Sequence, residues 1–189
     1  MSELSNPHES RMNQPPDDQL ISQTIKGDLN AFKILAQRHE GKVAGVVKSM
    51  VGNVEEAADI GQEVFIRFYE SIAKFRGESS VGTYLVRIAI NLSLNELKKR
   101  KSKNSFFQLS KEAEMIPAKE SKQDLKEMLD IEFNKLEPEF KSVATLRLVE
   151  GYSTEETATL LQIPLGTVLS RLSRAQKKLR IGLEKHLKP

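Results

Sequence analysis

Apolar residues in this chain recur at steps of three and four and seldom alternate, so the pattern predicts helices and no strands. Asp28 stands as N-cap of a helix reaching residue 38, with Ala31, Phe32, Leu35 and Ala36 on its apolar side. A second helix covers residues 43–50 and stops at Gly52. Asn53 and Glu56 form a further capping pair, and the helix behind them aligns Ala57, Ile60, Val64, Phe68 and Ile72 on one stripe. The run Arg76-Gly77-Glu78-Ser79-Ser80 breaks that helix. Another extends from about Val81 into Lys98-Lys99-Arg100-Lys101, turning Leu85, Ile88, Ala89 and Leu92 inward.

The period then lapses. Residues 104–123 are rich in Ser, Lys, Glu and Gln and read as a flexible linker. Residues 1–16, polar and holding Pro7, Pro15 and Pro16, read as a disordered tail. The expected fold class is therefore all-α, with one small helical domain over residues 17–103 and a second over residues 124–189. In the second, Ser153 and Glu156 make a capping box for a short helix, with Ala158 small where a crossing helix would touch. Leu161 and Ile163 flank a turn, and Pro164 keeps the short helix from continuing.

The helix beyond that turn places Val168, Leu172, Ala175, Leu179 and Leu183 on one stripe and presents Thr167, Ser170, Arg171, Arg174, Lys177 and Lys178 elsewhere. From Leu165 onward there are seven Lys or Arg against the single acid Glu184. A basic helix behind a tight turn is how many proteins place side chains against base edges and phosphates in the DNA major groove. The same pattern also describes a solvated helix whose lysine stems lie flat; the capped helix and the turn before it favour DNA.

Two faces in the first domain carry chemistry of different sign. On the helix through Ala57, residues Asp59, Gln62, Glu63, Arg67 and Glu70 lie away from the apolar stripe; an acidic and amide patch of this kind repels DNA and can dock a basic protein surface, though a solvated helix face is the commoner fate of such a pattern. On the next helix Tyr84, Arg87, Asn91, Asn95 and Lys98 share one outer side, which suits base stacking, hydrogen bonds and phosphate pairing.

The formal charge of +3 adds little, because the asymmetry along the chain carries the information. The absence of cysteine excludes a disulfide framework, a thiol nucleophile and a Cys-containing zinc site. His8, His39 and His186 have no metal-ligand spacing, no phosphate loop is present, and the pairs Glu55-Glu56 and Glu155-Glu156 sit at helix starts where the helix dipole accounts for them. Neither an enzyme nor a cofactor is expected. No apolar run approaches the roughly 20 residues of a membrane span, and the tail lacks the apolar core of a secretory signal, so a cytoplasmic protein without membrane insertion is expected.

Three ordered motifs in the first domain, Asp59-Ile60-Gly61-Gln62-Glu63-Val64-Phe65, Phe75-Arg76-Gly77-Glu78-Ser79-Ser80 and Tyr84-Leu85-Val86-Arg87-Ile88-Ala89-Ile90-Asn91, resemble region two of the extracytoplasmic-function sigma factors of RNA polymerase. Leu136-Glu137-Pro138-Glu139-Phe140 and Ile163-Pro164-Leu165-Gly166-Thr167-Val168, with Ser170-Arg171-Leu172 and Arg174-Ala175, resemble their region four. The resemblance implies that Asp59, Gln62 and Glu63 dock the coiled-coil clamp of core polymerase. It implies that Arg76, Ser79, Ser80, Tyr84, Arg87, Asn91 and Lys98 hold the non-template strand of the minus-ten promoter element. It further implies that Thr167, Ser170, Arg171, Arg174, Lys177 and Lys178 read the minus-thirty-five element, and that an anti-sigma factor is a partner.

Some positions depart from the family's pattern. Tyr84 stands where tryptophan is usual, Val81-Gly82 replaces an aromatic-basic pair, Gln162 occupies a turn position where glycine is common, and Leu169 replaces a frequent basic residue. A promoter-specificity subunit accounts for both domains, whereas a stand-alone operator-binding regulator accounts only for the second. With a linker between them, the two DNA-reading domains are expected to move independently until polymerase fixes their spacing.

Overall fold

The protein is described here from a computed structural model over residues 15–107 and 122–187. The expected tail and linker therefore lie largely outside the described residues. All regular structure among the described residues is helical. The first domain comprises α1 (Asp17–Ile25), α2 (Leu29–Val51), α3 (Val54–Ser71), which runs into a single turn of tighter 3₁₀ helix, and α4 (Val81–Phe107). The second comprises α5 (Lys122–Asn134), α6 (Pro138–Ala144), α7 (Thr154–Leu161) and α8 (Leu165–Leu187), with a wide π-turn (Thr145–Val149) closing α6.

The capping residues act as their sequence positions indicate. The Asp28 carboxylate accepts from the backbone N–H of Asn30 at 2.9 Å and Ala31 at 3.2 Å. Asn53 accepts from Glu55 and Glu56 at 2.9 and 3.3 Å. Both halves of the Ser153–Glu156 box are formed, at 3.1 and 2.7 Å. Each cap satisfies backbone donors that the helix itself leaves free, worth about 1 kcal/mol.

Two expectations in the first domain need correcting. Residues 29–38 and 43–50 belong to one helix, because α2 runs unbroken through Gly41. Gly41 is exposed and costs the helix about 1 kcal/mol, while burial of Leu35 and Val43 on either side, each 1 % exposed, outweighs it. The second correction is α1, whose pattern is too short to announce itself. Asp17 fastens it to α2 through Arg38 Nη1 at 2.6 Å and His39 Nε2 at 2.8 Å.

α2 is the central helix, packed by α1, α3 and α4. Val64, Phe68, Leu85, Val86 and Ile90 fill the space between them. A Cβ at Gly82 would lie 3.4 Å from His39 Nδ1, so the first turn of α4 packs closely on α2.

The two domains are not independent bodies. Leu146, Tyr152 and Leu160 of the second join the hydrophobic cluster of the first. Lys42 of α2 sets its ammonium 4.9 Å from the centre of the Tyr152 ring, a cation–π contact. Gly52, the left-handed cap of α2, lies so close to α5 that a Cβ there would collide with the Asn134 carboxamide. This packing replaces the expectation of freely moving domains. Leu146 and Leu160 are apolar helix positions that find their partners across the domain boundary.

The second domain keeps a small cluster of its own, Leu136, Ala144, Ala175 and Leu179 with Phe133 and Phe140 against it. α5 lies along α8, where Glu132 accepts from His186 at 2.9 Å and Lys135 at 2.6 Å. Burial raises the Glu132 carboxyl, but hydrogen bonds from those two partners outweigh it and leave the pKa below its usual range.

Candidate nucleic-acid and polymerase interfaces

The acidic face is carried by α3, whose apolar stripe is directed into the core by Val64 and Phe68. Asp59 and Gln62 are exposed and Glu63 is half-buried. Glu63 accepts from Arg67 Nε one turn on, at 2.7 Å; as a solvated pair within one helix this contributes only about 0.3–0.5 kcal/mol. Asp59 and Glu63 line an open groove of about 550 Å³ between α3 and α4, completed by residues that include Leu92, Asn95 and Lys99. The three sequence-chosen residues thus share a helix face, and Asp59 and Glu63 border a groove whose far wall mixes Leu92 and Asn95 with the acid Glu96 and the cation Lys99.

On the second face, the loop before α4 leaves Arg76, Ser79 and Ser80 exposed. Ser80 Oγ also caps α4, accepting from the Thr83 N–H at 3.1 Å. Tyr84 differs from its expected outward placement. Phe75 folds over it from the loop, 5.2 Å between ring centres in an edge-to-face contact, with Phe68 5.9 Å away. Its hydroxyl donates to Ser71 Oγ at 3.4 Å. The ring is half-buried at the rim of the first domain's core, because the chain returning from α3 covers the start of α4. Arg87 is half-buried, whereas Asn91 and Lys98 are exposed farther along α4.

The third face is built by the α7–turn–α8 unit. Thr157 and Leu160 are the buried positions of α7, and Ala158 is only half-buried. The turn passes through Gln162 at φ 54° and ψ 45°, the one non-glycine residue with positive φ among the described residues. Ile163 N–H then returns to the Ala158 carbonyl at 3.1 Å, and Pro164 carbonyl accepts from Thr167 at 2.9 Å to start α8.

Val168, Ala175 and Leu179 are buried along α8, with Leu172 and Leu183 half-buried beside them. At 100° per residue, Ser170, Ser173, Arg174 and Lys177 fall opposite this stripe, and all four are exposed. Ser173 had no place in the sequence reasoning, although its spacing from Ser170 and Lys177 puts it on the same side. Thr167 and Arg171 are half-buried on the flank. Lys178 turns toward α6, pairing with Glu137 at 2.8 Å and lying 5.6 Å from the Phe140 ring centre. That hydrogen bond holds the Glu137 carboxyl below its usual range. The basic helix therefore has an outermost band of hydroxyls, Arg174 and Lys177, while Lys178 helps hold the domain together.

No helix among the described residues is long and apolar enough to cross a membrane. No group of three or more potential metal-binding side chains occurs among them.

Against known proteins, residues 35–103 match the model of Sigma-70 region 2 and residues 128–179 that of Sigma-70, region 4. The chain is 33 % identical to the RNA polymerase sigma-H factor of Pseudomonas aeruginosa, over 94 % of its own length and 97 % of that protein's. It is 35 % identical to the ECF RNA polymerase sigma-E factor of Haemophilus influenzae, over 85 % and 92 % respectively. Among solved structures, the sigma factor RpoE of Bartonella quintana, in complex with the anti-sigma factor NepR, shares the fold with a TM-score of 0.64. That match has 22 % identity and covers 81 % of this chain and 96 % of that one. CnrH in complex with the cytosolic domain of CnrY gives the same TM-score of 0.64 and 22 % identity, over 89 % and 97 %.

Proposed function

This chain belongs to the sigma-70 family, in its extracytoplasmic-function group, and from that premise we propose how its surfaces divide the work of initiation. It is an RNA polymerase sigma factor, a promoter-specificity subunit that joins core polymerase and directs transcription initiation without a catalytic site of its own. The domain of residues 17–103 docks core polymerase through Asp59, Gln62 and Glu63. It holds the opened minus-ten strand along Arg76, Ser79, Ser80, Tyr84, Arg87, Asn91 and Lys98. The domain of residues 124–189 reads the minus-thirty-five element with Thr167, Ser170, Arg171 and Arg174, and Lys177 meets phosphates, while Lys178, expected beside it, is held by Glu137. An anti-sigma protein covers these faces to hold the chain inactive, and the protein acts in the cytoplasm beside its polymerase.

The observation that carries this division is the segregation of charge. An acid-and-amide face stands on α3, and a band of hydroxyls and cations stands on the exposed side of α8. The first favours a basic protein surface and the second a polyanion. Geometry adds a step. Promoter elements named minus-ten and minus-thirty-five lie about 25 base pairs apart, or roughly 85 Å at 3.4 Å per base pair. A compact body of this size has a radius of gyration of about 15 Å. The packed domains therefore separate before both elements are held, and polymerase supplies the scaffold that makes two weak sites one strong one.

Reconstitution with bacterial core polymerase and a library of randomised promoters tests the reading. Co-elution and initiation from a two-part promoter are expected. Arg174→Ala should weaken upstream-element recognition by about 1–3 kcal/mol with assembly intact. Gln62→Lys with Glu63→Lys should abolish assembly and spare the helix-turn-helix. If both variants lose polymerase binding equally, the division of labour is wrong. Tight duplex binding by the protein alone, with no assembly, would identify a stand-alone regulator.

A further inference from the structure

The flank of α8, between its buried stripe and its polar and basic band, holds an apolar pair. Leu169 is 51 % exposed, and Leu165, one turn before it, 43 %. Leu169 is set about 100° round the helix from the fully buried Val168. Its neighbours on the outward side are Ser170 and Ser173, with Arg174 and Lys177 beyond them, all exposed. The elements packed substantially on α8 are α5, α6 and α7, and the two leucines stay exposed beside them.

A single exposed leucine on a protein surface needs no explanation. Two of them one turn apart, at the end of the helix that enters the groove and alongside the residues placed on bases, form a continuous apolar strip in a setting that is otherwise hydrogen-bonding. Leucine offers a major groove neither a donor nor a charge, so it gains nothing from phosphates or from the polar edges of bases. The apolar group presented there is the C5 methyl of thymine.

We propose that Leu169, with Leu165 beside it, recognises a thymine methyl in the minus-thirty-five element, so that this chain's upstream specificity is partly hydrophobic. The proposal rests on the reading that α8 enters the major groove. Lengthening the reach of this position with a cation would convert a base-specific contact into a phosphate contact and broaden the promoters accepted.

The test uses the full chain in holoenzyme. The preferred upstream element is selected from a randomised library, and each thymine in it is then replaced singly by deoxyuridine, which removes only the methyl. One replacement should weaken promoter binding about fourfold for the unmodified chain, the worth of one buried methyl-sized group. Leu169→Ala should lose about as much on the thymine promoter and show no further loss on the deoxyuridine one. Arg174→Ala should bind more weakly yet keep the fourfold methyl response.

A selected element without thymine facing α8, or a methyl response that persists unchanged in Leu169→Ala, overturns the proposal while leaving the sigma function intact. Holoenzyme that fails to assemble or initiate on any promoter removes the underlying reading, and the proposal with it. Leu169→Ala changes an exposed helix position to the best helix former, so a folding defect does not confuse the comparison.

Discussion

In the first domain, four helices bury their apolar stripes against one another, with Leu35, Val47, Phe68, Leu85 and Val86 each 1 % exposed or less. The second domain shares its burial between two places. Leu136, Ala144, Ala175 and Leu179 make a small cluster at home, while Leu146, Tyr152 and Leu160 reach into the first domain's core. A small helical unit buries little of its own surface and is correspondingly marginal. The helix-turn-helix therefore draws part of its stability from the first domain. In the proposed function, core polymerase and DNA together replace that burial when both promoter elements are held.

The sharpest way to break this comparison is to cut one residue on each side of it. Leu146→Ala should cost about 3 kcal/mol, and the loss should fall on the second domain, giving a separate, earlier unfolding transition in urea. Leu35→Ala should cost a similar amount but destabilise the first domain and, through it, the second, so that one transition moves as a whole. Circular dichroism combined with limited proteolysis distinguishes the two. A single unaltered transition in Leu146→Ala would mean that the second domain does not depend on the interface.

A smaller and pH-dependent effect comes from Lys141, only 2 % exposed yet cationic. Its Nζ donates to Asn134 Oδ1 at 2.7 Å and lies 6.0 Å from the Phe133 ring centre. Burial, aided by the nearby Arg100 guanidinium, pushes its pKa down to about 8 from the ordinary 10.5. The folded pKa is the lower one, so the penalty for burying the charge is fully present below pH 8. It is relieved as pH rises from about 8 to 10.5, where the folded chain has lost the proton that the unfolded chain still holds. Lys141→Met, similar in length and uncharged, should be more stable than the unmodified chain by about 2 kcal/mol at pH 7. That advantage should shrink through pH 8–10. A gap that stays constant with pH would show that Lys141 has the same pKa folded and unfolded, its bond to Asn134 offsetting its burial.

Lys141 also marks where sequence reasoning reached its limit. Caps and stripes are local, so Asp28, Asn53 and the Ser153–Glu156 box, together with Val64, Phe68, Val168 and Ala175, were readable from residue type and spacing alone. Leu146 and Leu160, buried against the first domain, had no place in that reading, and a lysine in a short polar run carries no mark of burial. The acid-and-amide face was legible as a surface because α3 has one clean apolar stripe. Tyr84 was not, since its half-burial depends on Phe75 returning from a loop. Lys178 looked like its neighbour Lys177 until Glu137, forty-one residues earlier, was placed beside it. What remained hidden is in each case a contact between different elements, which the period of a single helix does not carry.

The smallest expected effect tests whether stability in the second domain can be changed by itself. Gln162 holds φ at 54°, a conformation in which an L-residue's Cβ crowds the following carbonyl at a cost of roughly 1–2 kcal/mol. Gln162→Gly removes that cost but gives the unfolded chain more freedom, worth about 0.4–1 kcal/mol in the opposite direction. The net change should be a stabilisation of about 0.5–1 kcal/mol, a rise in Tm of about 2 °C. The backbone of the turn is already the one glycine prefers, so the angle between α7 and α8, and with it DNA affinity in holoenzyme, should not change. Introduced into Leu146→Ala, where two transitions are expected, Gln162→Gly should raise only the earlier one. If it raised both, the domains would still be unfolding as one unit, held by contacts such as Lys42 with Tyr152 rather than by the leucine.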